Sequence, residues 1–424
     1  MKAFSVALFA GVMAWLSAES GFAAEAPAAK ETVLYSFGKR GSTDGSGPYL
    51  ARLVNLNGML YGTTLSGGTH GDGTAFTIDP ATGAEKVLYS FCSQANCADG
   101  TGLANLTNVN GMLYGTTSGG GRLCSCGTLF SLDPATGVET VVYLFHTCTK
   151  RNCTDGNRPY AGVTDVKGTL YGTTLLGGPG AIQPSGTVFA FDPKTGKEQV
   201  LYSFCSRTDC SDGQFPESSL IDVKGTLYGT STYGGRGGLG ACDSPYYGCG
   251  VVFSLDLATG AEKTLYAFCS KSNCADGEIP LAGLIQTNGT LYGTTSEGGG
   301  TGCGGRGCGT VFALDLNTGT ETVLHSFQGG TDGANPYGRL TDVNGTLYGT
   351  TIQGGGTACN GSGCGTVFSV DPNTGAEKVL HAFLDDRTDG AGPYAGLINV
   401  MGTLYGTTYG GGRHEHGTAF SMKP

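Results

Sequence analysis

The sequence predicts an all-β fold: a seven-bladed β-propeller of four-stranded blades, its ring closed by the N-terminal strand completing the last blade. Three observations predict it: a unit of about 55 residues in tandem copies, two hairpin signals within each unit, and chain ends that complement each other. Leu-Tyr-Gly-Thr recurs with its tyrosine at Tyr61, Tyr114, Tyr171, Tyr228, Tyr292, Tyr348 and Tyr405. An aromatic closing an apolar run recurs at Phe37, Phe91, Phe145, Phe204, Phe268, Phe327 and Phe383. Gly-Thr-Val-Phe or a close variant places phenylalanines at 76, 130, 189, 253, 312, 368 and 420. With 77 Gly, 20 Tyr and 19 Phe but only 14% charged residues, the chain is rich in turns and strand formers and poor in helical patterning.

The unit beginning at Gly338 shows how each period divides. Leu340 to Val343 reads as a first strand, and Asn344-Gly345 is a two-residue hairpin signal that accepts positive φ. Thr346 to Thr351 is the second strand; a Gly-rich loop follows, then a third strand from Thr366 to Val370. In Asp371-Pro372-Asn373-Thr374-Gly375 proline presets one turn dihedral, aspartate bonds the turn backbone and glycine takes the left-handed position. Glu377 to Phe383 is the fourth strand, which completes a propeller blade.

The chain ends separate a propeller from the competing parallel β-helix. A lone fourth strand, Val33 to Phe37, precedes any first strand, whereas the last unit stops at Met422-Lys423-Pro424 without one. Pairing the two closes the ring and removes its edges; a solenoid would use caps instead.

Upstream, Lys2 and the apolar run from Ala3 to Leu16, followed by small residues to Ala24, read as a secretory signal peptide. The expected organisation is a signal peptide over 1–24, a short linker over 25–31 and one propeller domain over 32–424. This implies export, to the periplasm or the extracellular space. No later stretch approaches the ~20 apolar residues of a membrane span. A formal charge of -10 argues against nucleic acid, whose phosphates need a basic face.

The Leu-Tyr-Gly-Thr-Thr…Gly-Gly…Gly-Thr-Val-Phe…Asp-Pro-x-Thr-Gly pattern from Thr32 to Pro424 resembles the bacterial GloVer tandem repeat, a family defined by its repeat and not by an activity. It is more distantly similar to kelch blades, although the one tryptophan, Trp15, lies in the leader. The resemblance implies a repeat propeller and no particular chemistry.

The sixteen cysteines fall into local pairs. Cys92/Cys97, Cys148/Cys153, Cys205/Cys210 and Cys269/Cys274 follow fourth strands; Cys124/Cys126, Cys242/Cys249, Cys303/Cys308 and Cys359/Cys364 precede third strands. Where one member is absent its partner is too, which predicts local disulfides in an oxidising compartment rather than zinc ligation. Whether Cys124 and Cys126 pair with each other stays open, because so short a ring is strained. Strand alternation places every cysteine pair and every long loop on one face of the ring, the natural binding face.

Candidate sites follow from that placement. Asp44, Asp99, Asp155, Asp212, Asp276, Asp332 and Asp389 recur as Asp-Gly turns; lining the central channel, they would instead form a carboxylate ring for Ca2+, and no other cofactor is expected. His70, with Asp72, and His414, Glu415 and His416 occupy the loops without cysteines in the first and last units, adjacent after closure, and could hold a metal or act as an acid/base pair. His325 and His381 stand in for fourth-strand tyrosines and read as structural. Tyr233, Tyr246, Tyr247 and Tyr409, with Arg122, Arg236 and Arg306, are candidate sugar contacts. No motif for nucleophilic, metallopeptidase or nucleotide chemistry occurs. The leading expectation is therefore a monomeric binding module for carbohydrate or a cell-surface partner; the competing one is a polysaccharide lyase or hydrolase.

Overall fold

The computed structural model describes residues 31–424 except 51, 104, 122–124, 146–147, 150–151, 180–184, 236–241 and 243–247. The expected signal peptide lies outside them. Seven antiparallel sheets follow one another in chain order, each running first, second, third, fourth strand. In the sixth these are Thr341–Val343, Thr346–Thr351, Thr366–Val370 and Glu377–Ala382, as the turn chemistry predicts. Asn344 and Gly345 take φ of 54° and 86°, the two positive values a tight hairpin needs.

The seventh sheet is built from both ends of the chain. Glu31–Ser36 pairs antiparallel with Thr418–Met422, from Glu31 opposite Met422 to Ser36 opposite Thr418. Glu31 thus belongs to the propeller, not to the linker expected before it.

Neighbouring blades meet through a repeated apolar seam. The fourth-strand phenylalanine of one blade packs edge-on against the third-strand phenylalanine of the next, as in Phe91–Phe130 and Phe268–Phe312, both at 5.0 Å between ring centres. At the closure the same pair is Phe37–Phe76, 4.9 Å apart. The glycine of Leu-Tyr-Gly-Thr makes room for it: a Cβ on Gly62 would lie 2.6 Å from Phe76 Cζ. Each apolar cluster draws on two blades; Tyr61, Ala75 and Phe91 of the first pack with Leu113, Phe130 and Leu132 of the second. The second-strand tyrosines belong to this packing.

First strands are innermost. They bond to one another across blades, Thr164 Oγ1 donating to Leu220 O at 2.6 Å and Thr287 Oγ1 to Asp342 Oδ2 at 3.0 Å. The inter-blade connections share a face with the loops between second and third strands, because the two pair directly. Gly45–Ser46 pairs with Ser66–Gly67, Gly333–Ala334 with Gln353–Gly354, and Gly390–Ala391 with Gly410–Gly411.

Candidate functional site

Where the inter-blade connections turn down toward the axis, most carry a proline: Gly47-Pro48-Tyr49, Arg158-Pro159-Tyr160, Phe215-Pro216-Glu217, Ile279-Pro280-Leu281, Asn335-Pro336-Tyr337 and Gly392-Pro393-Tyr394. The residue before proline is normally pushed to extended backbone. Here all six sit at positive φ, 60°, 57°, 55°, 59°, 56° and 63° in that order. For Ile279 and Phe215 that geometry is strained, and surrounding contacts must impose it.

Those contacts come from the preceding blade. Arg158 N–H donates to Cys126 O, Ile279 N–H to Cys249 O, Asn335 N–H to Cys308 O and Gly392 N–H to Cys364 O, all at 2.8–2.9 Å. These four acceptors are disulfide-bonded cysteines. Gly47 and Phe215 use His416 O and Ser185 O at 2.8 Å instead. The cystine loops therefore clamp the turns that bring side chains to the axis.

The result is a cavity of about 150 Å3 at the axial mouth on the loop face, lined by connections from all around the ring. Tyr49, Tyr160, Tyr337, Tyr394, Glu217 and Leu281 follow the prolines and form its wall. Arg52, Asn105, Ser219, Gly283, Arg339 and Gly396, each just before the apolar residue that leads into a first strand, also line it. One side is aromatic: ring centres lie 4.7 Å apart for Tyr49–Tyr394, 5.6 Å for Tyr337–Tyr394 and 5.8 Å for both Tyr49–Tyr409 and Tyr394–Tyr409. Burial, then Tyr394 and Tyr337, push the Tyr49 phenol up to about 12. Burial also raises Glu217, against a hydrogen bond that its Oε1 accepts from Thr232 at 3.2 Å.

Arg52 Nε donates to Leu397 O at 2.9 Å and Nη2 reaches Thr341 Oγ1 at 3.4 Å, so this side chain spans from the first blade toward the sixth and seventh. Burial, then Arg339, pull its guanidinium down to about 9. Burial lowers Arg339 too, and its Nε is buried without a partner.

A sequence profile of the Gloeobacter/Verrucomicrobia repeat matches residues 20–242 and 241–424, together nearly the whole chain. The chain belongs to that family. No curated protein sequence matches it. Among solved structures, this repeat propeller is similar to the extracellular domain of a one-component system from B. thetaiotaomicron, with TM-score 0.55 and 12% identity over 93% of this chain and 41% of that one. It is also similar to an oligogalacturonate lyase in complex with manganese, with TM-score 0.50 and 12% identity over 93% of this chain and 96% of that one. At such identity both establish the fold alone.

Of the sugar-contact candidates in this Gloeobacter/Verrucomicrobia repeat protein, Tyr409, 44% exposed, does not line the cavity itself but extends its aromatic side by packing on Tyr49 and Tyr394. Tyr233 packs against Phe215, 6.2 Å between centres. Arg306 is away from the mouth, its exposed guanidinium 3.8 Å from Glu297. Arg122, Arg236, Tyr246 and Tyr247 lie outside the described residues. The pairings Cys92–Cys97, Cys205–Cys210, Cys242–Cys249, Cys269–Cys274, Cys303–Cys308 and Cys359–Cys364 form as expected. Cys126 and Cys153 are also disulfide-bonded; Cys124 and the Cys148 side chain are outside what is described. Six disulfides belong to an oxidising compartment. Among the described residues no helix is long and apolar enough to cross a membrane.

The seam histidines take separate positions. His70 is exposed beside Thr69 Oγ1, at 3.0 Å. His416 Nδ1 lies 2.9 Å from Ser46 Oγ, while His414 is half-buried and Glu415 exposed. Among the described residues, no three ligand atoms from His70, Asp72, His414, Glu415 and His416 lie within 4.8 Å of one another.

The aspartate ring, the alternative to plain Asp-Gly turns, is not found at the channel. None of Asp44, Asp99, Asp155, Asp212, Asp276, Asp332 and Asp389 lines the cavity. Each lies under its own connection and accepts from the fourth-strand residue before it: Tyr35 Oη to Asp44 at 2.7 Å, Tyr89 to Asp99 at 2.9 Å, Tyr202 to Asp212 at 2.7 Å and Tyr266 to Asp276 at 2.8 Å. His325 and His381 replace tyrosine without losing the contact, 3.3 Å from Asp332 and 3.1 Å from Asp389. A fourth-strand glutamate of the next blade completes each junction. Tyr143 Oη lies 3.1 Å from Asp155 and 3.2 Å from Glu198, yet has one proton to give, so the second contact needs a protonated carboxyl. Consistently, burial pushes Glu31, Glu85, Glu139, Glu198, Glu262 and Glu377 up to about 7.

Proposed function

We propose that this repeat propeller is an exported, monomeric binding module that holds a carbohydrate, free or displayed on a cell-surface partner, at its axial mouth. The Tyr49–Tyr337–Tyr394–Tyr409 wall carries the reading. Tyrosine offers an apolar face to a sugar ring and a hydroxyl to its polar edge, and polar groups converge beside it in one concave, asymmetric place. Disulfide clamping favours the same reading, since pre-ordered loops lose less freedom on binding.

The test is a glycan array on the oxidised protein, followed by calorimetry of any hit against Tyr49→Ala and Tyr394→Ala. The proposal expects binding without release of shortened or unsaturated products, weakened about tenfold or more by either substitution. A hit that ignores both substitutions moves the site elsewhere, and product release makes the chain an enzyme.

A further inference from the structure

The axial cavity holds a chemical asymmetry that aromatic stacking does not use. We infer that its ligand is acidic: a saccharide bearing a carboxylate, taken up by Arg52 and Arg339. This rests on the mouth being the binding site.

Two guanidinium groups share one small cavity, close enough for Arg339 to help lower Arg52. Among the described residues neither has a carboxylate within ion-pair distance. Glu217, the one other charged side chain on the wall, has its own hydrogen bond from Thr232. Elsewhere in the molecule the cations that reach buried glutamates are half-exposed and paired: Arg207 with Glu262 at 2.7 Å and Lys271 with Glu321 at 2.8 Å. A buried, unpaired charge is costly, and two like charges are costlier still. Arg52 has two neutral acceptors on other blades and Arg339 Nε has none, so neither charge is balanced within the fold, whereas an anion arriving from solvent would balance both at once.

Sterics point the same way. The ring position that carries Arg52 and Arg339 is asparagine, serine or glycine in other blades, and the Arg339 Cδ passes over Gly283, 3.6 Å from where a Cβ would be. Small neighbours thus leave the long side chains room at the axis. With the tyrosine wall beside them, the cavity offers a stacking face and two guanidinium charges together, which matches a uronate better than a bare inorganic anion.

The experiment compares β-1,4-linked tetraglucuronate with cellotetraose, which differs only at C6, by titration calorimetry on the intact oxidised protein, with sodium sulfate as a third titrant. The expected result is tetraglucuronate binding at least about tenfold tighter than cellotetraose, weakening with salt, and falling about tenfold or more in Arg339→Gln and in Arg52→Gln. Arg339→Lys, which keeps the charge, should recover part of the loss and covers the case in which the glutamine variant does not fold. Equal binding of both sugars, untouched by Arg339→Gln, overturns the acidic ligand and leaves the proposed carbohydrate site standing. Sulfate binding as tightly as tetraglucuronate also overturns it, and so does tetraglucuronate failing to bind while an array glycan binds through Tyr394.

Discussion

The blade junctions and the axial mouth are built from the same inter-blade connections, yet they treat the repeat in opposite ways. At the junctions one chemistry is kept all round: a phenylalanine pair, an Asp under a Tyr or His, and a neighbouring Glu. At the mouth, corresponding positions hold Tyr49, Tyr160, Glu217, Leu281, Tyr337 and Tyr394, and below them arginine, asparagine, serine or glycine. Closing a ring demands equal interfaces, so symmetry is retained where stability is made. A ligand has no sevenfold symmetry, so divergence collects where the ring is read from outside.

Substitutions can break this contrast. The largest effect is expected at the junction core: Phe312→Ala should cost about 3–5 kcal/mol of unfolding free energy, and Phe37→Ala at the closure a similar amount, measured by denaturant melts. Tyr394→Ala at the mouth should cost far less. A Cβ at Gly62 collides with Phe76, so Gly62→Ala should cost about 1–3 kcal/mol, a packing loss with no effect on binding.

The pH dependence of folding comes next. The junction glutamates are raised above their ordinary value of 4.5 to about 7, so between those values the folded chain holds protons that the unfolded chain has released. Their contribution is full below 4.5 and is lost as pH rises through about 7. The exposed hairpin aspartates, such as Asp79 and Asp371, are lowered by backbone N–H donors and act oppositely, losing stability in strong acid. Tm should therefore be higher at pH 5 than at pH 8, and a flat profile would argue against protonated junctions.

The smallest effect on stability, and the sharpest contrast, is Arg339→Met. Removing a buried unpaired cation while keeping its stem should leave Tm unchanged or raise it, yet weaken ligand binding. A Tm that falls by as much as in Phe312→Ala would place Arg339 with the junctions, as a folding residue.

Much of this architecture can be read from the chain because its signals are local. Asn344-Gly345 marks a hairpin by the φ values it tolerates, and the unmatched Val33 to Phe37 strand predicts its pairing with the last unit. Face assignment follows from strand alternation, which is why the cystine loops and the mouth fall on the expected side. What escaped depends on contacts between blades. Asp99 looks like a plain turn residue because the next blade's Glu139 is brought to its Tyr89 contact only by ring geometry. The mouth escaped for a related reason: Arg52 and Arg339 are ordinary charges until the repeats are aligned, where they stand in a column of small residues. The seam histidines stand where other units carry cysteine, and His416 takes the cysteine's place through its backbone carbonyl, which holds Gly47.

The most direct test is a crystal structure of the oxidised protein soaked with the tightest-binding saccharide from the array. The expected result is a sugar ring against Tyr49 and Tyr394 with its charged edge toward Arg52 and Arg339. A saccharide seated on the seam histidines or over the junction carboxylates, with the mouth empty, would contradict it.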